Sequence, residues 1–192
     1  MSAAPPTVVI VPGLRDHVAE HWQTLLAARL PRSRIVPPLG KDNLDLAARL
    51  EAIEREAQAI EGPLIIVAHS GGVAMIAHWA ARTERRVLGA LLATPPDLER
   101  PLPDGYPTMD ALGAGGWLPV PRARLPFPSI VAASRNDPLA RFDDVAEMAR
   151  CWGGRLEDIG EAGHLNPASG HGPWPLAERL VEDLARANGD AL

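Results

Sequence analysis

The sequence predicts an α/β protein, a three-layer α/β/α sandwich with a mainly parallel sheet of about six strands. Short β-rich runs alternate with helical patterns along the chain. The most apolar run, Leu64-Ile65-Ile66-Val67-Ala68, shows no polar alternation, as a central parallel strand covered on both faces requires. The 192 residues, 46% hydrophobic and 22% charged, suit one domain over residues 1–192 with a sizeable core.

Each element has its own signal. Thr7-Val8-Val9-Ile10-Val11 is too short for a helix and is stopped by Pro12-Gly13, so it reads as a buried strand. Residues 18–30 place Trp22, Leu25, Leu26, Arg29 and Leu30 at three- and four-residue spacings, and Pro31 ends the pattern. A weak strand is expected at 34–36. Residues 43–60 put Leu44, Ala47, Leu50, Ile53, Ala57 and Ile60 on one helical stripe, with Asn43 as N-cap and Gly62-Pro63 as terminator. After the strand at 64–68, a helix is expected over 71–82, strands over 87–93 and 129–133, a helix over 140–152, a short strand over 155–159 and a final helix over 175–187. The segment 94–128 breaks this rhythm: its 35 residues carry nine prolines and the run Gly113-Ala114-Gly115-Gly116. Connections that long are uncommon in a compact domain and usually functional, so it reads either as a lid or binding loop or as an exposed insertion, with room for a short helix near 108–112.

Composition excludes several classes. The formal charge is −5, with no basic stripe, which argues against a nucleic-acid partner. Cys151 is the only cysteine, so no internal disulfide framework or thiolate metal cluster is expected. The apolar stretch 3–13 holds Pro5, Pro6 and Pro12 and lacks a basic leader, so neither a secretory signal nor a membrane span is expected, and the cytoplasm is the expected compartment.

The sharpest chemical signal is Ala68-His69-Ser70-Gly71-Gly72, between the most apolar strand and a helix. A serine there, with small residues two before and two after, fits a tight turn that lifts its hydroxyl above the carboxyl edge of the sheet. The pattern resembles the G-x-S-x-G nucleophile elbow of α/β hydrolases, with Ala68 for the first glycine; the plainer alternative is a serine N-cap. A serine nucleophile needs a base and an orienting carboxylate, and these follow in the order Ser, acid, His: Asp137 in Ser134-Arg135-Asn136-Asp137-Pro138, and His164 in Glu161-Ala162-Gly163-His164-Leu165-Asn166, both just past strands. Asp97 is the rival acid and His171 the rival base. Asp137 as a simple turn former and His164 as a loop histidine are the bland readings. The expected oxyanion donors are the backbone N–H groups of Gly71 and of Leu14, in the loop after the first strand. Arg15 is either a partner for a substrate carboxylate or an ordinary exposed arginine, and His69 is expected to pack away from the site.

Val11-Pro12-Gly13, His21-Trp22, the Ala68–Gly72 turn, Ser134–Pro138, Gly163-His164-Leu165-Asn166 and the tail Ser169-Gly170-His171-Gly172-Pro173-Trp174-Pro175 together resemble the small serine hydrolases typified by retinoblastoma-binding protein 9 and its bacterial relatives. The resemblance covers nearly the whole chain. It implies a compact α/β-hydrolase core with a reduced strand count, no metal or other cofactor, and a Ser-Asp-His triad on Ser70, Asp137 and His164. It implies no particular substrate beyond a small-molecule acyl compound.

Two other classes compete. His17-Val18-Ala19-Glu20-His21 matches the H-x-x-E-H zinc pattern, although no later helix offers an evident third ligand. The fold can also be kept as a protein-binding module with an idle triad, since fold alone does not establish activity. G-x-G-x-x-G and G-x-x-x-x-G-K-[ST] are both missing, which argues against nucleotide binding.

Overall fold

The β-branched runs pair into one sheet. In the computed structural model, which describes residues 4–14 and 18–187, six strands lie in the order β2-β1-β3-β4-β5-β6, every neighbouring pair parallel. They are β1 (Thr7–Val11), β2 (Ser33–Ile35), β3 (Leu64–His69), β4 (Val87–Ala93), β5 (Ser129–Ala133) and β6 (Arg155–Asp158). The sheet is wholly parallel where a mainly parallel one was expected, because every connection is long enough for a crossover.

The helices are α1 (Trp22–Arg29), α2 (Leu46–Gln58), α3 (Gly71–Trp79), α4 (Met109–Ala114), α5 (Phe142–Trp152) and α6 (Pro175–Arg186). Alternate residues of the strands face two apolar layers. One face takes Val9, Val11, Ile66 and Val131 against α2, α3 and α5; the other takes Val8, Ile10, Ile65 and Ile130 against α1 and α6. Alternation is invisible in the sequence because both faces are covered. No helix among the described residues is long and apolar enough to cross a membrane.

Several element ends shift by one or two residues from the sequence reading, and three boundaries shift further. α1 starts at Trp22, where the His21 side chain accepts the Gln23 N–H, four residues later than the apolar spacing suggested. α2 is capped by Asp45, whose carboxylate accepts the Ala48 N–H; Asn43 instead accepts the Asp45 N–H and offers its carbonyl to Arg49, shaping the approach. α3 ends at Trp79, three residues early.

The β4–β5 crossover, residues 94–128, is anchored to the core by part of its length, while much of the rest is exposed. Leu98, Leu112, Trp117, Val120, Leu125 and Phe127 join the core beside α2 and α3. The Trp117 indole N–H donates to the Leu44 carbonyl at 2.8 Å, and the Trp117 carbonyl accepts from His78 Nε2 at 3.0 Å. Only its first part, from Pro96 to Tyr106, borders the cavity described below.

Candidate active site

The chain leaves β1 toward β2 and leaves β3 in the opposite direction toward β4. Loops that diverge from adjacent parallel strands open a crevice at the strands' carboxyl ends, the place where open α/β sheets bind ligands. Gly13 and Leu14 enter it from β1, and Ser70 and Gly71 from β3. Their approach depends on missing side chains. A Cβ on Gly72 would lie 2.5 Å from the Val11 carbonyl oxygen, and one on Gly13 would lie 3.0 Å from Ser70 Cβ. A Cβ on Gly71 would sit 3.2 Å from Leu14 Cγ and 3.7 Å from the Leu14 nitrogen, so Gly71 and Leu14 are close neighbours.

Ser70 has φ 56° and ψ −130°, a conformation that costs a non-glycine residue about 1–3 kcal/mol. Its side chain makes no capping bond to α3, which removes the N-cap alternative. The turn is held by the Ser70 N–H donating to the Ala93 carbonyl and the Ser70 carbonyl accepting the Val73 N–H. Among the described residues, the other non-glycine residues with positive φ are Thr94, just past β4, and Leu165, beside His164. Strain is thus concentrated at the sheet edge that carries the crevice.

The structure brings Ser70, His164 and Asp137 into one hydrogen-bonded chain. Ser70 Oγ lies 2.8 Å from His164 Nε2, and His164 Nδ1 lies 2.9 and 3.0 Å from the two Asp137 carboxylate oxygens. A carboxylate can only accept, so Nδ1 carries the proton and Nε2 presents its lone pair to the Ser70 hydroxyl. The His164 and Asp137 side chains are 5% and 2% exposed. Asp137 is itself fixed by the Leu139 N–H at 2.9 Å.

The rivals are otherwise engaged. Asp97 accepts the Glu99 N–H and pairs with Arg100 at 3.0 Å, shaping the entry to the long crossover. His171 follows a short 3₁₀ turn, Pro167–Ser169, and donates its backbone N–H to the Asn166 carbonyl; the imidazole that meets Ser70 is that of His164. Arg15 and His17 lie outside the described residues. Of the zinc pattern's remaining members, Glu20 is exposed and His21 caps α1. No group of three or more His, Cys, Asp or Glu among the described residues is placed to hold a metal ion.

Sequence reasoning missed the supports of this site. The Ser134 hydroxyl accepts the Ala162 N–H, Asn136 Oδ1 accepts the Gly163 N–H, and the Ser169 hydroxyl accepts the His164 N–H, so three successive residues of the histidine loop are tethered. His69 is buried beneath them, its Nε2–H donating to the His164 carbonyl at 2.9 Å and its ring 5.0 Å from that of His164. It is expected to pack, and it does, but directly against the site. Burial, then the nearby His164 and His21 rings, hold its pKa well below the ordinary histidine value, so His69 is neutral. Gln23 is 1% exposed, and its amide donates to the carbonyls of both Val11 and Val67, joining α1 to the two strands that flank the crevice. A glutamine beside Trp22 on the inward face of a short helix was the only available signal.

A cavity of about 310 Å³ opens over Ser70, bounded by Leu14, Leu98, Leu102, Tyr106, Leu139 and Pro167 among others.

The chain is similar to a YdeN-like hydrolase of Pectobacterium atrosepticum, with 31% identity and a TM-score of 0.79 over 94% of this chain and 91% of that one. The ydeN gene product of B. subtilis superposes with a TM-score of 0.73 at 17% identity, over 93% of this chain and 98% of that one. Est1E of Butyrivibrio proteoclasticus, solved with ferulic acid bound, shares the fold at 13% identity and a TM-score of 0.68, over 95% of this chain and 88% of that one. A search of curated proteins finds no match. The sequence profile of the family described as Serine hydrolase matches residues 8–183, and with the fold and crevice above, the chain belongs to that serine hydrolase family.

Proposed function

We propose that the protein cleaves a carboxylic ester, thioester or amide of a small substrate through an acyl-Ser70 intermediate. The observation that carries this reading is the Ser70–His164–Asp137 hydrogen-bonded chain, with the serine on a strained turn above the sheet edge. Ser70 Oγ attacks the carbonyl carbon while His164 Nε2 takes its proton. The C–O, C–S or C–N bond then breaks, and the leaving group receives that proton. Water, deprotonated by the same nitrogen, attacks the acyl-serine, and the carboxylic acid departs as Ser70 regains its proton. Asp137 holds the imidazole in the useful tautomer and stabilises its cation. The oxyanion is assigned to the N–H groups of Leu14 and Gly71, two neighbouring residues that line the cavity beside Ser70.

A fluorophosphonate probe is expected to add one equivalent to the intact protein at Ser70, and Ser70→Ala should abolish the addition. Folded protein that stays unlabelled would favour a binding module, and labelling elsewhere would move the site. Ester hydrolysis that persists after chelation separates this mechanism from the zinc reading at His17 and His21.

A further inference from the structure

The walls of the cavity over Ser70 differ sharply in origin. The floor comes from the ends of β1 and β3 and from His164. One side is built by a single stretch of the β4–β5 crossover, Pro96, Leu98, Leu102 and Tyr106, joined by Leu139 from the loop after β5. Leu98 and Leu139 are buried, while Leu102 and Tyr106 are half-buried and remain within reach of an occupant. No Asp, Glu, Lys or Arg side chain among the described residues borders the cavity.

Those facts set the chemistry of an occupant. An aliphatic or aromatic group placed there leaves water for an apolar wall, worth about 25 cal/mol per Å² of surface covered. A carboxylate or ammonium on the same group would lose hydration without gaining an ion pair among the described residues, a far larger cost. The volume limits size. At about 310 Å³ the cavity lies near the lower end of ligand pockets, roughly 300–1,000 Å³, which suits a small group.

Resting on the serine hydrolase reading, we infer that the substrate carries a small uncharged apolar group, held against the Leu98–Leu102–Tyr106 wall, and that Leu102 and Tyr106 set its permitted length. The crossover is in this view the specificity element of the enzyme, fixed to the core at Trp117 and shaped at its cavity end.

The test uses two substrate series, read by acid release: ethyl esters of straight-chain acids and acetates of straight-chain alcohols, each lengthened from two to about ten carbons. In at least one series kcat/KM should rise with chain length to an optimum and then fall. Leu102→Trp should move that optimum shorter by two or more carbons, and Leu102→Ala or Tyr106→Ala should move it longer, because each added methylene in an apolar pocket changes discrimination by about tenfold or more. In the responding series a terminal carboxylate should lower kcat/KM by about 100-fold or more. A flat profile in both series, an optimum unmoved in all three variants, or a gain from the carboxylate would each overturn the inference. Stoichiometric fluorophosphonate labelling of Ser70 in the same preparations shows that the site is assembled, so failure here with labelling intact leaves the serine mechanism standing.

Discussion

Asp97 and Asp137 are both carboxylates just past a central strand, and their different surroundings decide between them. The Asp97 oxygens are occupied by the Glu99 N–H and by Arg100, whereas both Asp137 oxygens face His164 Nδ1. Losing an orienting carboxylate leaves the imidazole in the wrong tautomer, which costs about 10⁴-fold in well-studied triads. Asp137→Asn should therefore lower kcat by about three to four orders of magnitude in folded protein, and Asp97→Asn by less than about tenfold. The two variants assayed side by side on one activated ester check this, and the reverse ranking would reassign the acid. Ser70, Asp137 and His164 were legible because each sits at a strand end beside a short motif. Ser134, Asn136 and Ser169 were not, because a hydroxyl or amide that tethers a loop looks like any other polar loop residue until the fold brings its partner close.

At the level of elements, His69 is a junction. It ends β3, its ring packs 4.7 Å from His21 at the start of α1, and it holds the loop after β6 through the His164 carbonyl. The unfolded chain titrates such a histidine near 6.5, while burial lowers the folded value well below that. Between the two values the unfolded state binds more protons. The contribution is therefore complete above pH about 6.5 and is lost as the pH falls below it. Urea midpoints measured from about pH 7.5 down to about pH 5 should fall more for the parent protein than for His69→Gln, which cannot titrate. Equal slopes would show that His69 is not the group responsible. Element order was legible from apolar runs and their terminators. Boundaries were less so, since the α1 spacing gave no weight to a capping histidine, and the buried Gln23 on the inward face of α1 lies outside the apolar pattern that marked the helix.

Across the whole molecule, strand order was the feature least available from sequence. The alternation of elements implies a parallel sheet, but only pairing shows that β1 and β3 are neighbours with chains departing in opposite directions. The covered layers account for the apolar strands, and the packed half of the β4–β5 crossover accounts for much of its hydrophobic content. That a proline-rich segment could bury Trp117 was not visible in its composition.

Assembly in time follows from that strand order. Ser70 and His164 are 94 positions apart, and the hydrogen bond between them exists only after β3, β4, β5 and β6 have taken their places side by side. Helices form from near neighbours within microseconds, whereas distant parallel pairings wait for long loops to close. On dilution from urea, the far-ultraviolet helical signal should therefore return ahead of hydrolytic activity, and recovery of both in a single shared phase would show that the sheet closes as early as its helices. Under the proposed mechanism, Ser70 would gain its base only when these strands have paired, so reactivity of the serine would report completed folding.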